Sequence, residues 1–307
     1  MQSLLDGSDR TRLDRAANTV EGFATKTLKG SERACVLADA QFVLARSHGF
    51  SNWAAFAAYL DALGQDGEAA AFEAAAEAIV RGDETTLRQL LQRHPDLIRA
   101  RSAREHHATL LHYVSANGVE NYRQQSPPNA ARITALLLAA GADVEAEADV
   151  YGGGSTTLGL VATSTPPREA GVQIPVMGVL LDHGAQIEQP NASKFGGVIY
   201  ACLANGCPEA ARYLAERGAA FGIVGAAGIG RLDVVQQLVA GADPERREMA
   251  LRYAAGYGQL DVVRFLLDHG VNVNGHSGDG KTALYYAMLG EHADVVRLLL
   301  ERGAQAS

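Results

Sequence analysis

Six times along the chain an apolar helical run ends on a glycine: LLLAAGADV (136–144), VLLDHGAQI (179–187), YLAERGAAF (213–221), QLVAGADPE (237–245), FLLDHGVNV (265–273) and LLLERGAQA (298–306). A glycine there closes a helix because it enters the left-handed region without strain. The capping glycines, Gly141, Gly184, Gly218, Gly241, Gly270 and Gly303, stand 43, 34, 23, 29 and 33 residues apart. A stop recurring at such intervals predicts supersecondary units that each bury an apolar face against the next, not one shared core.

Upstream of several stops lies a short turn opening an amphipathic helix, as in GRLDVVQQLV (230–239), GQLDVVRFLL (258–267) and HADVVRLLL (292–300). A further helix precedes it, in TLLHYVSANG (109–118), TTLGLVATS (156–164) and TALYYAMLG (282–290). Two antiparallel helices followed by an extended tip predict an all-α helical solenoid. The composition agrees, since 47% of residues are hydrophobic but only 6% aromatic, which suits closely packed helices.

Residues 70 to 307 resemble the ankyrin-repeat family, whose unit D-x-x-G-x-T-P-L-H-x-A-A-x-x-G-H-x-E-V-V-x-L-L-L-x-x-G-A-D spans about 33 residues. The last repeat fits best, through Gly280, Thr282, Leu284, Ala287, Asp294, Val295, Val296, Leu298, Leu299, Leu300 and Gly303. The resemblance implies about seven repeats over 70–307. Residues 1–65 do not fit it. There, 32–50 reads as an amphipathic helix ending near Gly49, with Ser51 as N-cap of a second helix over 52–63. This segment is similar to one found at the N-terminus of bacterial ankyrin-repeat proteins, and it predicts a helical capping region with Trp53 in its core and a boundary at 64–70.

Two repeats carry inserts between their helices. The acidic position of the second helix falls at Arg132 instead of Asn121, an insert of 11 residues around 119–129. The next repeat carries 7 extra residues around 165–171. Each insert holds a Pro-Pro pair, Pro127-Pro128 and Pro166-Pro167, expected to stiffen an extended loop. Two such loops side by side would wall a pocket with Tyr113, Tyr122, Arg123, Arg168 and Tyr151.

The run DVYGGGSTTLG (149–159) takes its meaning from the repeat. Aligned on D-x-x-G-x-T, Gly154 is the family's turn glycine, while Gly152 and Gly153 occupy variable tip positions and are expected to strip them of side chains. The resemblance implies that variable tip residues, and the two residues after A-A, face a concave binding surface. That places His106, Asn117, Ser155, Thr163, Ser164, Lys194, Asn205 and Tyr257 on it. His112 matches the histidine of T-P-L-H, to which the family assigns a structural bridge.

Several chemistries find no support in the spacing. YGGGST lacks the lysine of a phosphate loop. It also lacks the second glycine of a nucleophile elbow. No third ligand joins His106 and His107, so no metal is expected. A net charge of -8 argues against nucleic acid. No apolar window predicts a membrane span or secretory signal, and Cys35, Cys202 and Cys207 read as reduced thiols. The expected function is a cytoplasmic recognition module, with no cofactor, that binds a protein partner or small molecule on its concave face around Tyr151 to Ser164. The alternative is a small-molecule enzyme or ligand-binding protein using the pocket beside the inserts, although no spacing selects a reaction. The sequence sets no oligomeric state.

Overall fold

The computed structural model describes residues 37–63, 67–188 and 197–305. The start of the capping region, residues 64–66 of its expected boundary, Cys35 and Lys194 lie outside these residues. The chain divides into two compact units, one ending at Thr156 and the other starting at Thr157.

The first unit contains α1 (Leu37–Ser47), α2 (Trp53–Leu63), α3 (Glu68–Arg81), α4 (Glu84–Arg93) and α5 (Ala130–Ala139). Three 3-10 turns, Pro95–Ile98, Leu110–Ser115 and Asn121–Arg123, and a hairpin of β1 (Glu147–Ala148) with β2 (Ser155–Thr156) complete it. Helix α1 ends as expected, with Gly49 at φ +81°. The cap of α2 is Asn52 and not Ser51: the Asn52 Oδ1 accepts from Ala55 N at 2.9 Å. A capping side chain must reach the second or third helical N–H, and Ser51 stands one residue too early. Phe50, Phe56 and Tyr59 form a small core with Ala45, and Trp53 packs against it, half-buried. Helix α2 packs in turn on α3.

The second unit is a double row of helices. The first row comprises α6 (Thr157–Ala162), α9 (Gly197–Ala204), α11 (Ile223–Ile229), α13 (Pro244–Gly256) and α15 (Ala283–Leu289). The second comprises α8 (Gln173–Asp182), α10 (Pro208–Glu216), α12 (Leu232–Leu238), α14 (Leu260–Asp268) and α16 (Ala293–Glu301), with a short α7 (Thr165–Glu169) before α8. Each first-row helix packs on the next and on its own second-row partner. Alanines make this possible: Ala226, Ala227, Ala250, Ala254, Ala255, Ala283 and Ala287 are fully or almost fully buried among Val235, Val263, Leu266 and Leu299.

Helix α7 corrects an expectation. The Pro166-Pro167 pair opens a helix instead of stiffening an extended loop. Proline fits the first turn because its fixed φ is helical and its missing N–H has no partner there anyway.

Helix α11 carries two glycines on its packing face. Its sequence IVGAAGI puts Gly225 and Gly228 toward α9. A Cβ at Gly228 would lie 2.6 Å from Leu203 Cδ1, and one at Gly225 would lie 3.1 Å from Ile199 Cγ2. Two glycines cost a helix about 1 kcal/mol each relative to alanine; here they let α9 and α11 lie closer than side chains would permit. Leu203 is itself buried, so it must repack to admit a side chain there. Gly228→Val is therefore expected to lower unfolding stability by about 1–3 kcal/mol. Gly241→Ala, whose Cβ meets nothing within 4 Å, should be neutral or slightly stabilising; urea titration of both variants checks the contrast.

Candidate functional site

The predicted residues separate into a buried polar group in the first unit and a tyrosine-rich face in the second. In the first unit, T-L-L-H starts a 3-10 turn and not an α-helix. Thr109 N donates to His112 Nδ1 at 3.1 Å, so the ring proton sits on Nε2, 3.3 Å from the Ser155 carbonyl. The imidazole thus ties the turn to the hairpin, the structural bridge expected of it. Burial pushes its pKa down to about 4, more than the Ser155 carbonyl raises it.

Beneath this turn two arginines and two glutamates form a buried network. Arg104 Nη1 lies 2.6 Å from Glu73 Oε1 and its Nε lies 2.5 Å from Glu120 Oε1. Arg123, on the 119–129 insert, places Nη1 2.6 Å from Glu73 Oε2. Tyr113 donates its hydroxyl to Glu120 at 3.3 Å, and His106 Nε2 stands 3.7 Å from the same oxygen. Burial raises the Glu120 pKa, but His106, Arg104 and Arg123 outweigh it and hold the carboxyl at about 2. Arg104, Tyr113 and Glu120 are almost wholly buried, and Tyr122 alone reaches well into solvent. Four of the predicted binding residues, His106, Tyr113, Tyr122 and Arg123, thus meet in one place, where they anchor the insert to α3. Glu73 and Arg104 complete the network, and neither carries a sequence signal: the partners are far apart in the chain.

The hairpin tip gives the glycine run a different explanation. Tyr151, Gly152, Gly153 and Gly154 all have positive φ, from +54° to +99°. Every one of the three glycines is therefore required by the backbone. A Cβ at Gly152 or Gly153 would meet nothing within 4 Å, so closeness of a neighbour is not the reason. Tyr151 is 76% exposed and its hydroxyl donates to Asn117 Oδ1 at 2.7 Å. The Ser155 hydroxyl is turned inward to the Val150 carbonyl at 3.0 Å.

In the second unit, Ser164, Arg168, Asn205 and Tyr257 come together around the start of α10. Cys207 Sγ lies 3.8 Å from the Ser164 carbonyl and 3.6 Å from that of Asn205, and Arg168 bonds to the Gly206 carbonyl. Ser164 is buried, Asn205 is exposed, and Thr163 is half-buried with its hydroxyl on the Gly159 carbonyl. Tyr257 reaches over α11 to bond the Leu203 carbonyl, and burial raises its phenol to about 12. Three further tyrosines that the sequence did not single out belong to the same face. Tyr200 lies 5.4 Å from Tyr253, ring centre to ring centre, and Tyr253 lies 6.4 Å from Tyr257. The fourth, Tyr286, packs where Gly256 leaves space. The signal was available: Tyr253 and Tyr286 hold the same variable position of successive repeats.

Elsewhere in the first unit, a surface groove of about 580 Å³ runs between α4 and α5, lined by Arg88, Leu91, Arg132 and Leu136 among others. None of the predicted site residues lines it. Among the described residues no cluster of histidine, cysteine, aspartate and glutamate could hold a metal. No helix there is long and apolar enough to cross a membrane.

Residues 223–307 match the family model for ankyrin repeats, in three copies. With the helix pairs described above, this identifies residues 223–307 as ankyrin repeats in an all-α chain, a repeat that implies a protein-interaction module. It is 39% identical over 80 residues to the ankyrin repeat, SAM and basic leucine zipper domain-containing protein 1 of Mustela putorius furo and of Ovis aries, covering 26% of this chain and 17% of theirs. It is also 29% identical over 189 residues to the Caenorhabditis elegans ankyrin repeat and KH domain-containing protein mask-1, covering 57% of this chain and 7% of that one. The chain thus spans less than a fifth of the length of these relatives. The human ASB11 ankyrin repeat domain aligns at a TM-score of 0.45 and 21% identity, over 77% of this chain and 99% of that one.

Two outcomes test the first unit. His112 stays neutral in the fold to about pH 4 but takes up a proton near 6.5 when unfolded. Its contribution is complete above pH 6.5 and is lost as the pH falls toward 4, by about 3 kcal/mol in all. Urea titrations between pH 7 and 4.5 should show that slope, and His112→Gln should flatten it. Glu73→Gln leaves two buried guanidinium groups short of a counter-charge and should cost about 3–5 kcal/mol, read in the same titrations at pH 7.

Proposed function

We propose that this chain is a recognition module that holds a partner protein segment on the first-row face of its second unit. The observation that carries the reading is the set of four half-buried tyrosines, Tyr200, Tyr253, Tyr257 and Tyr286, contributed by α9, α13 and α15. Tyrosine supplies large, rigid contact area at low cost in side-chain entropy, and aromatic residues are enriched where interfaces concentrate their binding energy. Arg168 and Asn205 flank the set and supply hydrogen-bonding groups. Tyr151, exposed on the hairpin of the first unit, is a second candidate contact. The free thiols of Cys202 and Cys207, both buried, support a reducing, cytoplasmic setting.

This reading favours a protein segment over a small molecule. A site built on Tyr122 and Arg123 would draw on a guanidinium already bonded to Glu73, whereas the tyrosine face is open along three helices. No reaction is proposed.

The test is affinity capture with the wild-type chain and with a Tyr253→Ser, Tyr257→Ser double variant. The expected result is loss of the captured partner with helical content unchanged and the midpoint of thermal unfolding within a few degrees of wild type. Capture that survives the double variant but fails with Tyr151→Ser would move the surface to the hairpin.

A further inference from the structure

Ten tyrosines are present in the chain. Five of them, Tyr59, Tyr113, Tyr122, Tyr213 and Tyr285, lie beneath a guanidinium or ammonium of the chain itself, 5.0 to 5.7 Å from ring centre to cation. Four cations cover these five rings, the arginines Arg104, Arg123 and Arg217 and the lysine Lys281, with Arg123 over two of them. Among the described residues the other five have no such cation, and four of them are Tyr200, Tyr253, Tyr257 and Tyr286. The tyrosines gathered on one face are thus the ones whose rings the protein leaves without a cation.

We propose that this face receives an extended partner segment carrying arginines at alternate positions; the proposal rests on the recognition surface argued above. The ring quadrupole attracts a cation over its face, and guanidinium, being planar and weakly hydrated, stacks where ammonium does not. Spacing supports an extended segment. Side chains two apart along a strand project to one side about 7 Å from each other, close to the 5.4 and 6.4 Å between the ring centres. Charge supports the sign. The chain carries a net charge of -8. Arg168, at the Tyr257 end, is bonded to the Gly206 carbonyl and lies 3.7 Å from Glu169, and Lys281, which acts on Tyr286 at the other end, is paired with Asp279 at 3.0 Å, so both flanking cations are engaged by the chain's own groups. The hydroxyl of Tyr257 is turned inward to the Leu203 carbonyl, which leaves the ring and not the phenol oxygen as its contact group.

The experiment titrates four blocked heptapeptides, GRGRGRG, GKGKGKG, GEGEGEG and GLGLGLG, into the full chain with isotope-labelled tyrosine rings. The arginine peptide is expected to shift the signals of Tyr253, Tyr257 and Tyr286 and to bind at least tenfold more tightly than the glutamate and leucine peptides. Tyr253→Leu should weaken it at least tenfold, while Tyr253→Phe, which keeps the ring, should stay within about threefold. Equal binding of the lysine peptide would overturn the preference for arginine. If the leucine peptide moves these rings and the arginine peptide does not, the surface stands and the partner class is wrong. Binding of the arginine peptide that leaves the rings unmoved and ignores Tyr253→Leu would mean diffuse attraction to an acidic chain and would also overturn the proposal. No ring shift with any peptide overturns it too; the capture experiment then decides separately whether the surface itself is in use.

Discussion

A pair of helices of six to fourteen residues cannot cover its own apolar face, and that shortfall governs the molecule. In the second unit each pair is completed by its neighbour, so Ala227 and Ala255, equivalent residues of successive repeats, are both sealed. Burial of this kind is local and repeated. It explains why a core poor in aromatic residues suffices: many small contacts along the row replace one large centre.

The first unit meets the same need by different means. Its 119–129 insert interrupts the repeat, and the interior beneath it is polar. Arg104 and Arg123 share Glu73 and Glu120 in a group that is nearly neutral overall and nearly closed to water. A buried ion pair contributes little net stability, because desolvation offsets attraction, but removal of one member leaves a stranded charge. The network therefore specifies more than it stabilises: it fixes where the insert sits against α3.

Much of this was legible in the residues. The glycine stops gave the helix ends, with Gly49, Gly141, Gly184, Gly218, Gly270 and Gly303 in the left-handed region; Gly241 is the exception, since it closes a 3-10 turn, Val239–Gly241, without entering that region, and His112 took the bridging place that T-L-L-H implied. What escaped the sequence has two physical sources. Local geometry decided between near-equivalent choices, as when Asn52 rather than Ser51 capped α2 or when Pro166-Pro167 opened a helix. Long-range pairing decided the rest. Nothing adjacent to Arg123 announces Glu73, fifty residues away, and nothing near Tyr257 announces Tyr200. Laying the repeats beneath one another aligns Tyr253 with Tyr286, but Tyr200 and Tyr257 hold other positions of their repeats and join the face only through packing.

Helix α11 has a consequence for how such a protein can change over generations. Its glycines bring α9 toward α13, and the tyrosines bridge above them without taking part in the core. Spacing and chemistry are thereby held by different residues. Substitutions among the four rings could retune what is recognised while folding continues undisturbed, whereas drift at Gly225 or Gly228 would dismantle the platform itself. Selection on such a chain can explore new partners at the exposed positions so long as two residues with no side chains stay as they are.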